Sequence, residues 1–178
     1  MNINNGSAPV PVLETERLVL RPHRLADFDA CCAMWGDPAV TRYIGGKPST
    51  PEDVWGRLLR YAGHWSLMGY GYWAIEDKSF GRFIGEAGFA DFKRDITPSF
   101  GNDPEIGWAL APVAHGKGYA TEVVAALLEW GDANLASKRT VCLIHPDNSP
   151  SIYVAKKCGY KEFARTNYKG QPSILFRR

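Results

Sequence analysis

The chain has 178 residues, of which 45% are apolar and 22% are charged, and its formal net charge is +2. This length and balance are typical of one folded soluble domain and exclude a disordered chain. The small net charge and the lack of a Lys/Arg run argue against a nucleic-acid partner, and no apolar window is long enough to cross a bilayer. We therefore expect a cytoplasmic protein with no membrane partner, in which residues 1–12 form a flexible tail before a single domain at 13–178.

The first half of the domain is predicted to contain a strand, two helices and a hairpin. Residues 17–22, RLVLRP, alternate apolar and basic side chains before a proline, which is typical of an edge strand. A short helix is predicted from Asp27 to about Gly36, because apolar residues recur there at helical spacing. A longer helix is predicted where a Ser/Thr cap precedes Pro51. YGYWAIED and RFIGEAGFADF, joined by KSFG, predict two antiparallel strands.

The second half is predicted to alternate strands and helices. EIGWALAP, at 105–112, has the period of a strand, and ATEVVAALLEWGDANL carries the apolar stripe of a helix. RTVCLIH predicts a buried strand, and SPSIYVAKKCG predicts a helix that is closed by Gly159. The remaining residues predict two strands around Lys169 and Gly170. The predicted order is strand, two helices, three strands, helix, strand, helix and two strands.

The cysteines give no sign of a disulfide framework or a metal site. They stand at positions 31, 32, 142 and 158, without a CxxC pair or a histidine at metal-ligand spacing. We expect all of them to be core thiols, and we predict no metal ligands.

The segment HGKGYATEVV, at 115–124, places two glycines just before a predicted helix. Backbone N–H groups at a helix start form a natural anion site. A triphosphatase loop requires Ser or Thr after Gly-Lys, whereas Gly118 follows Lys117. A dinucleotide fingerprint requires glycine where Thr121 stands. From this loop alone, a phosphate site and an ordinary strand-to-helix turn both remain open.

Three segments of the chain together resemble the GNAT N-acetyltransferase superfamily. GWALAPVAHGKGYATEVVAALLEWG is similar to its acetyl-coenzyme A loop, in which Arg or Gln, two spacers, Gly, one spacer and Gly or Ala precede the central helix. His115, Gly118 and Ala120 hold those three places, so His115 departs from the family pattern. LETERLVLRPHRLADFDA at 13–30 and HPDNSPSIYVAKKCGYKE at 145–162 resemble the Rim-type branch, the ribosomal-protein N-terminal acetyltransferases and their relatives.

The resemblance implies an α+β (mixed α/β) GNAT-like fold and acetyl-CoA as co-substrate. A mostly antiparallel twisted sheet of about seven strands is expected, splayed between strands 4 and 5 and flanked by about four helices. The pantetheine arm is expected in the splay, bonded to the backbone of Trp108, Ala109 and Leu110. The pyrophosphate is expected on the backbone of the glycine loop. The resemblance assigns these residues to the loop: His115, Gly116, Lys117, Gly118, Tyr119 and Ala120.

Direct attack of a neutral amine on the thioester requires a base. The resemblance places it at Glu105, at the start of the fourth strand, where a solvated strand-end acid is the structural alternative. Glu86 on the neighbouring strand is a second candidate, although a cross-strand structural role is favoured for it. Asp103 and His145 are weaker candidates.

The leaving thiolate requires a proton donor, and many relatives use a tyrosine where this chain has Ala155. Ser151 is the predicted replacement, with Tyr153 less favoured. Asn148 is expected to bond the pantetheine arm or orient the site, or to serve as a turn residue. Most aromatic residues of the first half are expected in the core, with one or two lining the acceptor pocket. They are Trp35, Tyr43, Trp55, Tyr61, Trp65, Tyr70, Tyr72 and Trp73.

The leading functional hypothesis is an acetyl-CoA-dependent N-acetyltransferase that acts on a primary amine, either a protein or peptide N-terminus or a small amine. One alternative is detoxification of an amine-bearing compound such as an antibiotic. Another is a non-catalytic acyl-CoA-binding sensor, which the departures at His115 and Ala155 favour. Either a monomer or a homodimer is compatible with the sequence.

Overall fold

The computed structural model describes residues 9–178 and contains one eight-stranded sheet. The strands lie in the order β1-β2-β3-β4-β5-β6-β8-β7. Every neighbouring pair is antiparallel except β5 and β6, which are parallel. The strands are β1 (Leu13–Glu14), β2 (Leu18–Arg21), β3 (Tyr72–Asp77), β4 (Arg82–Ala90), β5 (Glu105–Leu110), β6 (Val141–Ile144), β7 (Lys161–Tyr168) and β8 (Gln171–Arg177).

Five α-helices accompany the sheet in the described part of the chain, and none there is long and apolar enough to cross a bilayer. The longest, α3, begins as predicted: Pro51 holds the first position, and Thr50 and Asp53 cap each other's backbone N–H groups. It ends at Gly69, which has a left-handed conformation. The helices are α1 (Phe28–Trp35), α2 (Pro38–Thr41), α3 (Pro51–Met68), α4 (Tyr119–Asn134) and α5 (Ser149–Lys157).

The predicted mixed fold is confirmed, with two elements added. Both β1, of two residues, and α2, of four, are too short to produce a periodic pattern. The addition of β1 corrects the prediction that residues 17–22 form an edge strand, because Leu13 and Glu14 pair along the outer side of β2. The predicted strands 4 and 5 are β5 and β6.

The predicted flexible tail, residues 1–12, lies partly outside the described residues, since positions 1–8 are not among them. The described residues of this segment, 9–12, include some that contact the domain. Val10 packs against the core, and the carbonyl of Pro11 accepts a hydrogen bond of 2.7 Å from Nε1 of Trp73.

The sheet separates two hydrophobic clusters, because successive side chains of a strand point to opposite faces. On β3, Trp73 joins the larger cluster with α4, whereas Tyr72 joins the smaller cluster with α1 and α3. Of the expected core thiols, Cys31 and Cys142 are buried; the other two cysteines are half-buried.

A buried ion pair connects β2 to the start of α1. Arg21 donates to both carboxylate oxygens of Asp27 at 2.8 Å, and its Nε donates to Glu76 on β3 at 2.7 Å. Arg24 N–H also donates to Asp27, at 2.7 Å. Burial by itself raises the pKa of Asp27, but the hydrogen bonds from Arg21 and Arg24 hold it below its ordinary value.

We predict that Asp27→Asn lowers the free energy of unfolding at pH 7 by about 3 kcal/mol, because the buried Arg21 guanidinium loses its two-pronged carboxylate partner and keeps only Glu76. A depressed pKa stabilises the fold above the ordinary aspartate pKa, and this contribution disappears as the pH falls through the folded value. The difference between wild type and variant should therefore narrow below about pH 4. Urea unfolding of both proteins at several pH values measures this difference in the free energy of unfolding. Asp29→Asn, at an exposed position two residues along, is the control and should cost less than about 1 kcal/mol.

Candidate active site between β5 and β6

The parallel pair of strands, β5 and β6, opens immediately after it begins. Glu105 and Val141 form the one registered pair between them, supported by a hydrogen bond of 3.1 Å from Val141 N–H to the carbonyl of Pro104. The other edge of β5 is paired with β4 along its whole length, from Glu105 to Leu110. The predicted splay is therefore confirmed, and it exposes one backbone edge of β5.

A cavity of about 140 Å³ occupies this opening and extends toward α1 and α3. It brings together residues that are far apart in sequence. Of the predicted site residues, it is lined by Glu105, Trp108, Ala109, Asn148 and Ser151.

Glu105 is buried at the closed end of the opening, so the alternative of a solvated strand-end acid is wrong. Arg94 donates to both of its carboxylate oxygens, at 2.5 and 2.7 Å. Burial raises the pKa of Glu105 above its ordinary value, and the contacts with Arg94 oppose this rise. Each carboxylate oxygen keeps a further lone pair for a second partner.

The start of α5 forms another wall of the cavity. Asn148 caps this helix, and its side chain accepts a hydrogen bond of 3.2 Å from Ser151 N–H. Tyr153 is 64% exposed and does not line the cavity, which disfavours it as a proton donor. Ala155 is completely buried.

The glycine loop lies beyond the other end of β5, outside the cavity. Gly116 and Gly118 have φ angles of +73° and +78°, which explains the need for glycine at both. Gly118 precedes the first residue of α4, where the N–H groups have no acceptor within their own helix. The exposed His115 ring bonds the carbonyl of Leu110 through Nε2, at 2.8 Å, and so holds the loop against the end of β5.

Arg17, on the turn into β2, braces this loop and was missed in the sequence. Its Nη1 donates to the carbonyl of Lys117 at 2.9 Å, and its Nη2 lies 2.6 Å from Glu122. Tyr119 points inward, where its hydroxyl donates to Asp77 at 2.9 Å. Lys117 itself is exposed. One hundred residues separate Arg17 from Lys117, so no local pattern could have connected them.

Four of the eight aromatic residues considered for the acceptor pocket line the cavity: Trp35, Tyr43, Tyr61 and Tyr72. Tyr61 and Tyr72 stack with ring centroids 4.6 Å apart. Gly107 allows the Tyr72 hydroxyl to lie against β5, because a Cβ at this position would collide with it. The sequence also gave no signal for Arg57 and Arg94, which both line the cavity.

The other base candidates differ in position. Glu86 is completely buried outside the cavity lining; it accepts a hydrogen bond from the Tyr61 hydroxyl and lies 3.6 Å from Nε2 of His23. Asp103 also lies outside the cavity and accepts a 2.9 Å hydrogen bond from Ser137. His145 lines the cavity and stacks on Tyr43, with 5.5 Å between the ring centroids.

The parallel strands β5 and β6 diverge, and α4 begins directly after the glycine loop. Together these features define the class predicted from the sequence, a GNAT-type acetyltransferase. A family profile described as an acetyltransferase (GNAT) domain matches residues 17–161, and the chain belongs to this family.

Two relatives illustrate the similarity. The uncharacterized N-acetyltransferase p20 of Bacillus licheniformis is 31% identical over 151 residues, which are 84% of this chain and 82% of that protein. The structure of a GnaT-family protein from Bordetella pertussis is 34% identical and has a TM-score of 0.83. That comparison covers 95% of this chain and 99% of the other.

More distant structures share the fold alone. A RimL ribosomal L7/L12 α-N-protein acetyltransferase in complex with coenzyme A is 15% identical, with a TM-score of 0.77 over 94% of this chain and 97% of the other. A Vibrio cholerae spermidine N-acetyltransferase in complex with CoA and spermine is 16% identical, with a TM-score of 0.72 over 92% of this chain and 96% of the other.

We predict that Gly118→Ala destabilises the protein by about 1–2 kcal/mol, because an L-residue is strained at this positive φ. Thermal unfolding measures the loss. Gly63→Ala is the matched control: this helical glycine has no neighbour within 4 Å of an added Cβ, and the change should stabilise α3 by up to about 1 kcal/mol. Equal stability of the two variants would contradict the assigned backbone constraint.

Proposed function

We propose that the protein is an acetyl-CoA-dependent N-acetyltransferase that acetylates a primary amine in a ternary complex. The observation that carries this proposal is the opening between β5 and β6, since it joins an exposed strand edge to a cavity lined by Glu105 and Ser151. Membership of the GNAT family supports acetyl transfer as the reaction.

The co-substrate is assigned to the C-terminal half of β5 and to the glycine loop that follows it. In this proposal the backbone of Trp108, Ala109 and Leu110 binds the pantetheine arm, with Asn148 bonding the arm or orienting the site. The backbone N–H groups from Gly116 to Ala120 bind the pyrophosphate, aided by the helix dipole. The CoA complexes of two distant structures with this fold support the choice of co-substrate.

Glu105 is the proposed general base, acting directly or through a water molecule. It takes a proton from the ammonium form of the acceptor, whose nitrogen then attacks the thioester carbonyl. The new C–N bond replaces the C–S bond; the nitrogen then gives up its second proton, and the leaving thiolate takes up one proton to become the free thiol. Since Arg94 uses one lone pair of each oxygen, the remaining lone pairs are available for this proton transfer.

Ser151 is the proposed donor to the leaving thiolate. It lines the cavity, whereas the position of the usual tyrosine is occupied by the buried Ala155. The missing tyrosine favours a second candidate function, an acyl-CoA-binding sensor without turnover. A measurement of turnover separates the two.

The proposal predicts that calorimetry detects binding of acetyl-CoA and of free CoA. It also predicts that acetyl-CoA releases free thiol in the presence of amines, over a panel of peptides, polyamines and amino acids. Absence of binding at sub-millimolar concentrations would overturn the co-substrate assignment. Binding without thiol release across the panel would favour the sensor.

We predict that Glu105→Gln lowers kcat by at least about a hundredfold, because an amide does not accept the proton. The affinity for acetyl-CoA, measured by calorimetry, should stay within about twofold, since the carboxylate is not part of the loop. Glu162→Gln is the control, because Glu162 also pairs with an arginine but lies on the exposed side of β7. An unchanged pH–rate profile in Glu105→Gln would reject Glu105 as the base.

Ser151→Ala tests the proton donor in the same assay. Its kcat should fall, and the loss should be smaller for a thioester whose leaving thiol is more acidic, because such a thiolate needs less help. Ser149→Ala, at the exposed first position of α5, should retain the wild-type rate. Full activity of Ser151→Ala would dismiss the assignment.

A further inference from the structure

Two buried hydrogen-bond donors lack an acceptor where the cavity meets α1 and α3. They are Nε of Arg57 and Nε1 of Trp35, and neither has a partner among the described residues. The two side chains touch, because the Arg57 guanidinium lies 3.7 Å from the centre of the Trp35 ring. Both line the cavity. Since buried donors are nearly always satisfied, this pair points to an acceptor group that a ligand supplies.

Arg57 also lacks the direct carboxylate partner that Arg94, the other arginine lining the cavity, has. Arg94 is paired with Glu105, whereas no carboxylate lies within 4.0 Å of Arg57 in residues 9–178. Positions 1–8 contain no acidic residue that could change this. Arg57 reaches Glu86 only through the hydroxyl of Tyr61, to which its Nη1 donates at 3.4 Å. Because the guanidinium is half-buried and its counter-charge is indirect, an anion that enters the cavity would complete its pairing.

We propose that the amine accepted by this enzyme also carries a carboxylate, and that Arg57 and Trp35 Nε1 bind that group. This inference rests on the proposed function, whose acceptor it specifies. The guanidinium offers donors in a planar fork that fits a carboxylate, and the indole N–H adds one more. The acceptor is therefore an amino acid or a similar small molecule, with its amine directed toward Glu105.

The volume and the aromatic lining of the cavity beside Arg57 fit a small ligand of this kind. The volume of about 140 Å³ is close to that of a cavity that holds one benzene molecule. Tyr43, Tyr61, Tyr72 and Phe92 contribute ring surface to the lining, which suits an apolar body between the charged groups.

Matched substrate pairs test the proposal. Thiol release is measured with phenylalanine, β-alanine and γ-aminobutyrate, each beside its own carboxamide, so that the distance between amine and carboxylate varies. The less basic amine of a carboxamide reacts more readily at neutral pH, so a preference for the acid must arise from binding. For at least one pair we expect kcat/KM to be at least about tenfold higher for the acid, because a hydrogen-bonded charge pair is lost in the amide.

Arg57→Gln should abolish this preference by raising KM for the acid while leaving the carboxamide unchanged. Arg57→Lys should restore part of it, because an ammonium keeps the charge but lacks the planar fork. Arg60→Gln is the control on the exposed side of the same helix and should behave as wild type. KM for acetyl-CoA should be unchanged in all three variants.

Each contrary result is informative. If Arg57→Gln slows acids and carboxamides equally, Arg57 is structural and the inference is wrong. A rise in KM for acetyl-CoA would mean that Arg57 binds the co-substrate, which also overturns it. The inference likewise fails if only amines without a carboxylate are acetylated, or if neither series is acetylated by a protein that binds acetyl-CoA. Failure to bind acetyl-CoA would instead overturn the proposed function.

Discussion

The parting of β5 and β6 after one registered pair is the constraint on which the rest of the site depends. A continuous ladder here would satisfy the edge of β5 within the sheet and leave no space between the strands. Because the strands diverge, that edge has no partner on β6 over Trp108–Leu110, where the Leu110 carbonyl bonds the His115 ring instead. The space beside it is lined from three directions by β5, β6 and the start of α5. The same strand ends in the turn that leads to the glycine loop, so one element positions both parts of the site.

Charge pairing then distinguishes the parts of the molecule that hold the fold from those that face a ligand. Arg21 and Asp27 satisfy each other at the junction of β2 and α1, and Arg94 and Glu105 do so at the closed end of the opening. Both carboxylates are buried, but Glu105 lines the cavity and Asp27 does not. Arg57 differs from both, because an aromatic face and a tyrosine hydroxyl are its neighbours instead of a carboxylate.

The order of the elements could be predicted because long elements carry their own signals. The cap before Pro51, the alternation of EIGWALAP and the glycines before α4 are local patterns, and each identified its element. β1 and α2 were missed because they are too short to repeat a pattern. Glu105 and Ser151 could be nominated only through a family resemblance. The burial of Glu105 and its pairing with Arg94 depend on chain segments that meet only in the folded protein.

The sequence by itself determined the order of the long elements and the glycine loop, through short-range periodicity and spacing, and its resemblance to acetyltransferases implied the class of fold. Only the tertiary structure decided which side chains share the cavity. It brought Arg17 to the carbonyl of Lys117, placed Arg57 against Trp35, and turned Tyr153 away to solvent. The physical reason is that hydrogen bonds and desolvation act between neighbours in space, and the neighbours of a side chain are set by how the sheet and helices pack.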